Sequence, residues 1–178
     1  MRRGFLPPCR LVILPLFLLG CDPNTTRPRV TPFPEDASIL VHAKIPAATE
    51  RLVRALTVDS IPIAFQSTRD GWVETPWLNA GTLKPTDARP IGADVVRIRG
   101  WVNPDKEGFS TITVEAAYRP YADPSLQGRE LERPVPKDHP VQVKLDSMLA
   151  HIPKGRSATA TLVPVPDSTV PKPDTSSH

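Results

Sequence analysis

Histidines are the first residues of this 178-residue chain to consider for catalysis or metal binding. Its four histidines lack the short, regular spacing of metal ligands: His42, His139, His151 and His178. The sequence also contains no G-x-S-x-G nucleophile motif and no phosphate-binding P-loop. We therefore expect no catalytic residue, no metal site and no cofactor, and a protein that is not an enzyme.

Scattered carboxylates leave one enzymatic alternative open: Asp70, Glu74, Asp105, Glu107 and Glu115. Two carboxyl groups that converge in a pocket can act as general acid and general base. Linear spacing does not show such convergence. The alternative is a hydrolase that uses carboxylates beneath two long irregular stretches, 79–93 and 119–137.

Cys21 follows a segment with the composition of a secretory signal. Three arginines and no acid accompany the apolar run from Leu11 to Leu19. This run has the length of a signal-peptide core and falls far short of the roughly 20 residues that a membrane-spanning helix needs. Residues 1–20 are therefore predicted to be a signal peptide that is removed.

The residues Leu18-Leu19-Gly20-Cys21 resemble the lipobox of bacterial lipoproteins. In that family the cysteine is acylated, for example with palmitate, and becomes the mature N-terminus. The resemblance implies lipidation of Cys21 and attachment to a membrane of the bacterial cell envelope, with the domain outside the cytoplasm, as in the periplasm. Cys9 lies in the predicted signal peptide, so the mature chain has no disulfide partner for Cys21.

Removal of the signal peptide changes the charge balance. The full chain has 22 basic and 19 acidic side chains, and three of the basic ones are arginines of residues 1–20, so 19 of each sign remain. Nucleic-acid binding depends on excess positive charge. We therefore expect no nucleic-acid partner. The expected partners are the membrane, through the lipid, and an envelope protein.

Composition divides the mature chain into three parts. Residues 21–36 hold four prolines and are predicted to be a lipidated N-terminus with an extended linker. Residues 153–178 are rich in Pro, Ser and Thr, and predict disorder because they cannot bury enough apolar surface. Residues 37–152 are predicted to form the globular domain.

Apolar spacing within the domain predicts the order β-α-β-β-β-β-α, with Asp138 as the cap of the last helix. This order predicts an α+β fold with two layers, an antiparallel sheet of about five strands and two helices on one face. Two late strands that bury the same face must pair residues whose numbers have an even sum. We expect a sum of 210, with Trp101 opposite Phe109, or 212, with Arg97 opposite Glu115.

The element order behind a lipobox resembles the helix-grip domains found in a lipoprotein component of the β-barrel assembly machinery. The local likeness consists of Val53 and Ala55-Leu56 in the first helix, the segment from Ile61 to Phe65, the turn Asp70-Gly71, and the strand from Val73 to Thr75. It implies the same helix-grip architecture for this domain.

One face of the two late strands combines arginine, aromatic and acidic residues: Arg97, Arg99, Trp101, Phe109 and Glu115. If the helices cover the other face, this one meets solvent. Arginine and aromatic residues are enriched at protein interfaces, so the face predicts a non-enzymatic binding or scaffold module. Two alternatives are a solvated face whose Trp101 shields arginine stems, and a small-ligand carrier with a cavity between the last helix and the sheet.

Overall fold

A computed structural model describes residues 25–155 of the chain. The predicted signal peptide, the lipobox with Cys21, and the predicted tail from residue 156 onward lie outside the described residues. The lipid anchor therefore stays a prediction.

The described residues confirm the predicted α+β class, with two helices and an antiparallel sheet. The elements are β1 (Ala37–Val41), α1 (Ile45–Val58), β2 (Phe65–Ser67), β3 (Trp72–Glu74), β4 (Leu78–Asn79), β5 (Gly92–Pro104), β6 (Ser110–Arg119), β7 (Arg133–Pro134) and α2 (Pro140–His151). The sheet has seven strands rather than about five. The additional strands, β4 and β7, are two residues long, too short to produce a periodic pattern.

The sheet is built around the long hairpin of β5 and β6. The strand order is β1-β6-β5-β3-β2, with β4 also paired to β5 and β7 to β6. Both helices pack on the face formed by the even-numbered residues of the hairpin, where Leu52 of α1 and Leu145 of α2 join Val114 in one buried core. Gly100 permits this packing, because a Cβ atom there would lie 2.4 Å from Cδ2 of Leu52.

The register of the central hairpin differs from both predicted values. Arg99 pairs with Glu115, so the paired numbers sum to 214. The even sum is confirmed, and the totals of 210 and 212 are wrong. The turn lies later in the chain than expected because Gly108 adopts a positive φ of 76° within it. As a result Trp101 lies opposite Thr113 and not Phe109.

The cap of the last helix also differs from the prediction. His139, not Asp138, is the N-cap of α2, and its Nδ1 accepts a hydrogen bond from the backbone N–H of Val141 at 3.2 Å. Pro140 follows in the first turn, where the missing N–H costs nothing.

Candidate functional site

The predicted binding face is covered at its centre. Arg99 is 7% exposed, and Trp101 and Glu115 are fully buried. Arg97 and Phe109 are half-buried. The expectation that this face meets solvent is therefore wrong, and the solvated alternative is wrong for the same reason. The face is covered by segments that precede β1 and follow β6, which strand periodicity does not show.

The first covering segment is the N-terminal strap, defined as Thr25–Asp36. At its beginning, the backbone N and Oγ1 of Thr26 donate hydrogen bonds to Oδ2 of Asp70 at 3.0 and 2.8 Å. Arg27 donates from Nη2 to Oδ1 of Asn103 at 2.7 Å. These contacts attach the strap to the β2–β3 turn and to the end of β5, although composition predicted an extended linker here.

The other end of the strap contacts the loop between β6 and β7. Arg129 of that loop lies over the ring of Phe33, with 3.9 Å between the guanidinium carbon and the ring centroid. The same guanidinium donates to the backbone oxygen of Thr31 at 2.6 Å. A cation on an aromatic face combined with a charge-assisted hydrogen bond favours a defined position of the strap.

Beneath the strap, two arginines and two glutamates form a buried ionic cluster, defined as Arg99, Glu115, Arg129 and Glu132. Arg99 donates to both carboxylate oxygens of Glu132, at 2.5 and 3.0 Å. Arg129 donates to both oxygens of Glu115, at 2.6 and 3.0 Å. Arg99 also contacts Glu115 at 3.1 Å. Each arginine is thus joined to one glutamate by two hydrogen bonds, and the cluster contains two positive and two negative charges. A buried site requires such a balance of charge.

Glu132 stays ionised in the cluster although its side chain is buried. Burial by itself would raise the pKa of Glu132, but hydrogen bonds and charge from Arg99 and Arg129 outweigh it and lower the pKa. Desolvation by itself would lower the pKa of Arg99, but the neighbouring glutamates outweigh it, so this pKa is raised. The pair of Arg99 and Glu132 is therefore charged at neutral pH.

Asp36, the last residue of the strap, differs from Glu132 because its pKa is raised. Burial and the neighbouring charge of Glu115 raise its pKa to about 7. Its Oδ2 accepts a hydrogen bond from the backbone N–H of Phe33 at 2.6 Å, which acts in the opposite direction. A negative charge on Asp36 would lie beside that of Glu115, so the carboxyl group is still about half protonated at pH 7.

Two pairs of carboxylates come together in the regions of the enzymatic alternative: Asp105 and Glu107 both line the hollow at the β5–β6 turn, and Glu115 meets Glu132. Glu132, in the second long stretch, approaches the same guanidinium as Glu115, but both are at most 1% exposed and are paired with arginines. Neither lines any of the three main surface hollows of the described residues. Among residues 25–155, no three His, Cys, Asp or Glu side chains are grouped as a metal site requires.

Two other members of the predicted face have separate neighbours. Trp101 packs edge-on against Trp72, with ring centroids 5.0 Å apart, and both are buried. Phe109 lies at the end of the sheet, 4.7 Å from the ring of His42. The structure thus brings Arg99 and Glu115 together, with Arg97 joined to them through Glu74, and leaves Phe109 apart.

An open groove between the two helices is the largest described hollow, with a volume of about 1000 Å³. Its apolar lining includes Ala55 and Val58 of α1 with Val143 and Met148 of α2. Val58 is 78% exposed and Val143 is 55% exposed. The two smaller hollows, of about 340 and 440 Å³, lie beside Ile61 and at the β5–β6 turn.

The rim of the groove carries more cations than anions. The lining contains Arg51, Arg54 and Lys144 against Asp59 and Asp138. Lys144 forms an ion pair with Asp59 at 3.4 Å, which connects the two helices at one end. Arg51 donates to the backbone oxygen of Pro153 at 2.9 Å and connects them at the other. The excess charge of the rim is therefore positive.

Sequence reasoning missed the groove. The small-ligand alternative places a cavity between the last helix and the sheet, but Leu145 and Leu149 fill that space and are at most 2% exposed. The available signal was Val143, an apolar residue outside the stripe that apolar spacing predicts for the last helix, which is Val141, Leu145, Met148, Leu149 and Ile152. Val58, at the end of the first helix, was a second such residue.

In the described part of the chain, neither helix has the length and apolar character needed to cross a bilayer. No protein-family model matches this chain, and no curated protein is recognised as its relative.

Proposed function

We propose that this chain is a lipid-anchored protein of the bacterial cell envelope that acts as a non-enzymatic binding module, with the α1–α2 groove as its binding site. The observation that carries the binding site is the exposure of Val58 and Val143 on the two sides of one apolar groove. Contiguous exposed apolar surface with a polar rim is typical of interaction sites. The cell-envelope location rests on the lipobox resemblance at Cys21.

The occupant we propose is an acidic, amphipathic segment of another envelope protein. Its apolar side chains would pack against the floor at Ala55 and Met148. Its carboxylates would face Arg54 and the other rim cations, which steer an acidic partner and suppress a basic one. The volume of about 1000 Å³ is at the upper limit for small-ligand pockets, so several side chains fit.

Photo-crosslinking in cells tests the binding site. A photoreactive amino acid is placed at Val143, and the control carries it at Ala150, an exposed residue of the same helix that does not line the groove. Mass spectrometry then identifies the crosslinked peptide. We expect a peptide of a second protein in which Asp or Glu residues neighbour apolar ones, captured from position 143 and not from position 150.

Charge reversal provides the second part of this test. Capture should be lost in Arg54→Glu and retained in Arg54→Lys, which keeps the positive charge. A crosslink to residues 156–178 of the same chain, or to a second copy of it, would show a different occupant and reject the proposal. Equal capture from positions 143 and 150 would reject the groove as a specific site.

The lipid anchor has its own test. Cys21→Ser should abolish acylation and release the protein from membranes into the soluble fraction after cell disruption. The measurement is the mass of the mature N-terminal peptide together with membrane fractionation. An unmodified N-terminus at a different residue of the wild-type chain would overturn the anchor.

A further inference from the structure

The attachment point of the strap suggests how the domain sits on a membrane. We infer that the strap holds one end of the domain, the anchor pole, against the anionic headgroups of the bilayer. The anchor pole is defined as the β2–β3 turn (68–71), the β5–β6 turn (105–109), the start of α1 (44–46) and the residues after α2 (153–155). This inference rests on the proposed acylation of Cys21.

Chain length limits the distance between the lipid and the domain. Thr26 is hydrogen-bonded to Asp70 in the β2–β3 turn. Five residue steps separate Thr26 from Cys21. A fully extended chain therefore spans at most about 18 Å between the acylated cysteine and the anchor pole. If the whole segment up to Ala37 were free, it would reach roughly 50 Å at the polyproline rise, and the domain could take any orientation.

The dimensions of the sheet make this limit decisive. β5 has 13 residues and therefore spans about 40 Å from its first residue to its last. Its end at Pro104 adjoins the anchor pole, and its start at Gly92 is at the opposite end. With a tether of about 18 Å, the end near Asp70 must stay close to the bilayer.

Exposed cations at the anchor pole match an anionic surface. Lys44, Arg69 and Lys106 line the hollow of about 440 Å³ at this pole. Lys154 is nearby, because its backbone oxygen accepts a hydrogen bond from the N–H of His42 at the end of β1. The acids of this pole are Asp105 and Glu107, which line the same hollow, and Asp70, which accepts hydrogen bonds from the strap. Such charges act on headgroups within a Debye length of about 8 Å, which the short tether allows.

This orientation leaves the groove accessible. α1 starts at the anchor pole, and the end of the groove where Lys144 meets Asp59 points away from it. A second envelope protein can therefore reach Val58 from the side opposite the bilayer.

Site-specific fluorescence quenching tests the orientation on the full, acylated chain in vesicles. The fluorophore is attached to a new cysteine in Glu107→Cys at the anchor pole or Asp138→Cys at the opposite end, and each change removes one acid. Vesicles of phosphatidylcholine and phosphatidylglycerol carry a quencher on the headgroup. We expect severalfold stronger quenching at position 107 than at position 138.

Three controls separate the causes. Flotation with the vesicles tests the anchor by itself, so a protein that does not float refutes the proposed function rather than the orientation. If the protein floats and both positions are quenched equally, the inferred orientation is wrong.

Thr26→Ala combined with Arg27→Ala should reduce the difference in quenching between positions 107 and 138 by releasing the strap. Lys106→Glu should reduce it only when phosphatidylglycerol is present; an equal reduction in neutral vesicles would exclude the headgroup contribution.

Discussion

The carboxyl group of Asp36 provides a test of how the strap is held on the ionic cluster. In Asp36→Asn, the amide oxygen can still accept the hydrogen bond from the backbone N–H of Phe33, and the amide nitrogen can donate to Glu115. The substitution therefore removes the titration while keeping the shape and the hydrogen bonds. Any difference from the wild type between pH 5 and pH 8 should arise from the charge.

The sign of the effect follows from the raised pKa of about 7, against an ordinary value of 3.8. Between these values the folded protein binds more protons at Asp36 than the unfolded chain does. The contribution of Asp36 to the free energy of unfolding must therefore fall as pH rises through this interval, and level off above about pH 7. The charged groups that face Asp36 are Glu115 and Arg129, which are paired with each other.

The magnitude can be worked from the pKa. Between pH 5 and pH 7, two pH units at about 1.36 kcal/mol each set a ceiling of about 3 kcal/mol. Because Asp36 is only half-buried, solvent screening reduces this to about 1–2 kcal/mol. Asp36→Asn should match the wild type near pH 5 and exceed its stability by that amount at pH 8.

The assay is equilibrium unfolding in urea at pH 5, 6, 7 and 8, followed by the fluorescence of the buried Trp72 and Trp101. Asp123→Asn is the matched control, because hydrogen bonds from Ser125 lower the pKa of Asp123 and leave it ionised throughout this range. A stability difference between Asp36→Asn and wild type that stays constant from pH 5 to pH 8 would refute a protonated Asp36 under the strap.

Three further predictions concern the packing, the cluster and the start of the strap. Gly100→Ala should destabilise the domain by about 1–3 kcal/mol, because the new Cβ would lie 2.4 Å from Leu52; urea unfolding measures the loss, and an unchanged midpoint would show that α1 can move away. Glu132→Gln should lower the free energy of unfolding by about 3 kcal/mol in the same assay, since the ionic cluster is left with two cations and one anion. An unchanged free energy of unfolding would contradict the buried pair of Arg99 and Glu132. Asp70→Asn should reduce the protection of the strap against proteolysis by its full amount above about pH 4, because strap hydrogen bonds lower the pKa of this carboxyl and favour its ionised form. The difference from the wild type should disappear only as the pH falls further, through that lowered pKa; a difference that does not change with pH would contradict this.

Local periodicity was sufficient for much of the fold. Apolar spacing predicted both helices, the antiparallel sheet and the α+β class, because burying one face of a helix or strand leaves a repeating pattern in the sequence. The same alternation predicted that paired residues of β5 and β6 have an even sum. It could not supply the value of 214, because Gly108 set the position of the turn through its positive φ.

Only the tertiary structure decided what covers each face. Alternation correctly placed Arg99 and Glu115 on the face opposite the helices, but it carries no information about segments far away in sequence. The loop with Arg129 and Glu132 reaches that face through a contact across 33 residues, and the strap is joined to the loop across 98 residues. Together they turn an expected surface into a buried ionic cluster. The groove arose in the same way, because the separation of two helices depends on their packing against a shared sheet and not on the pattern of either helix.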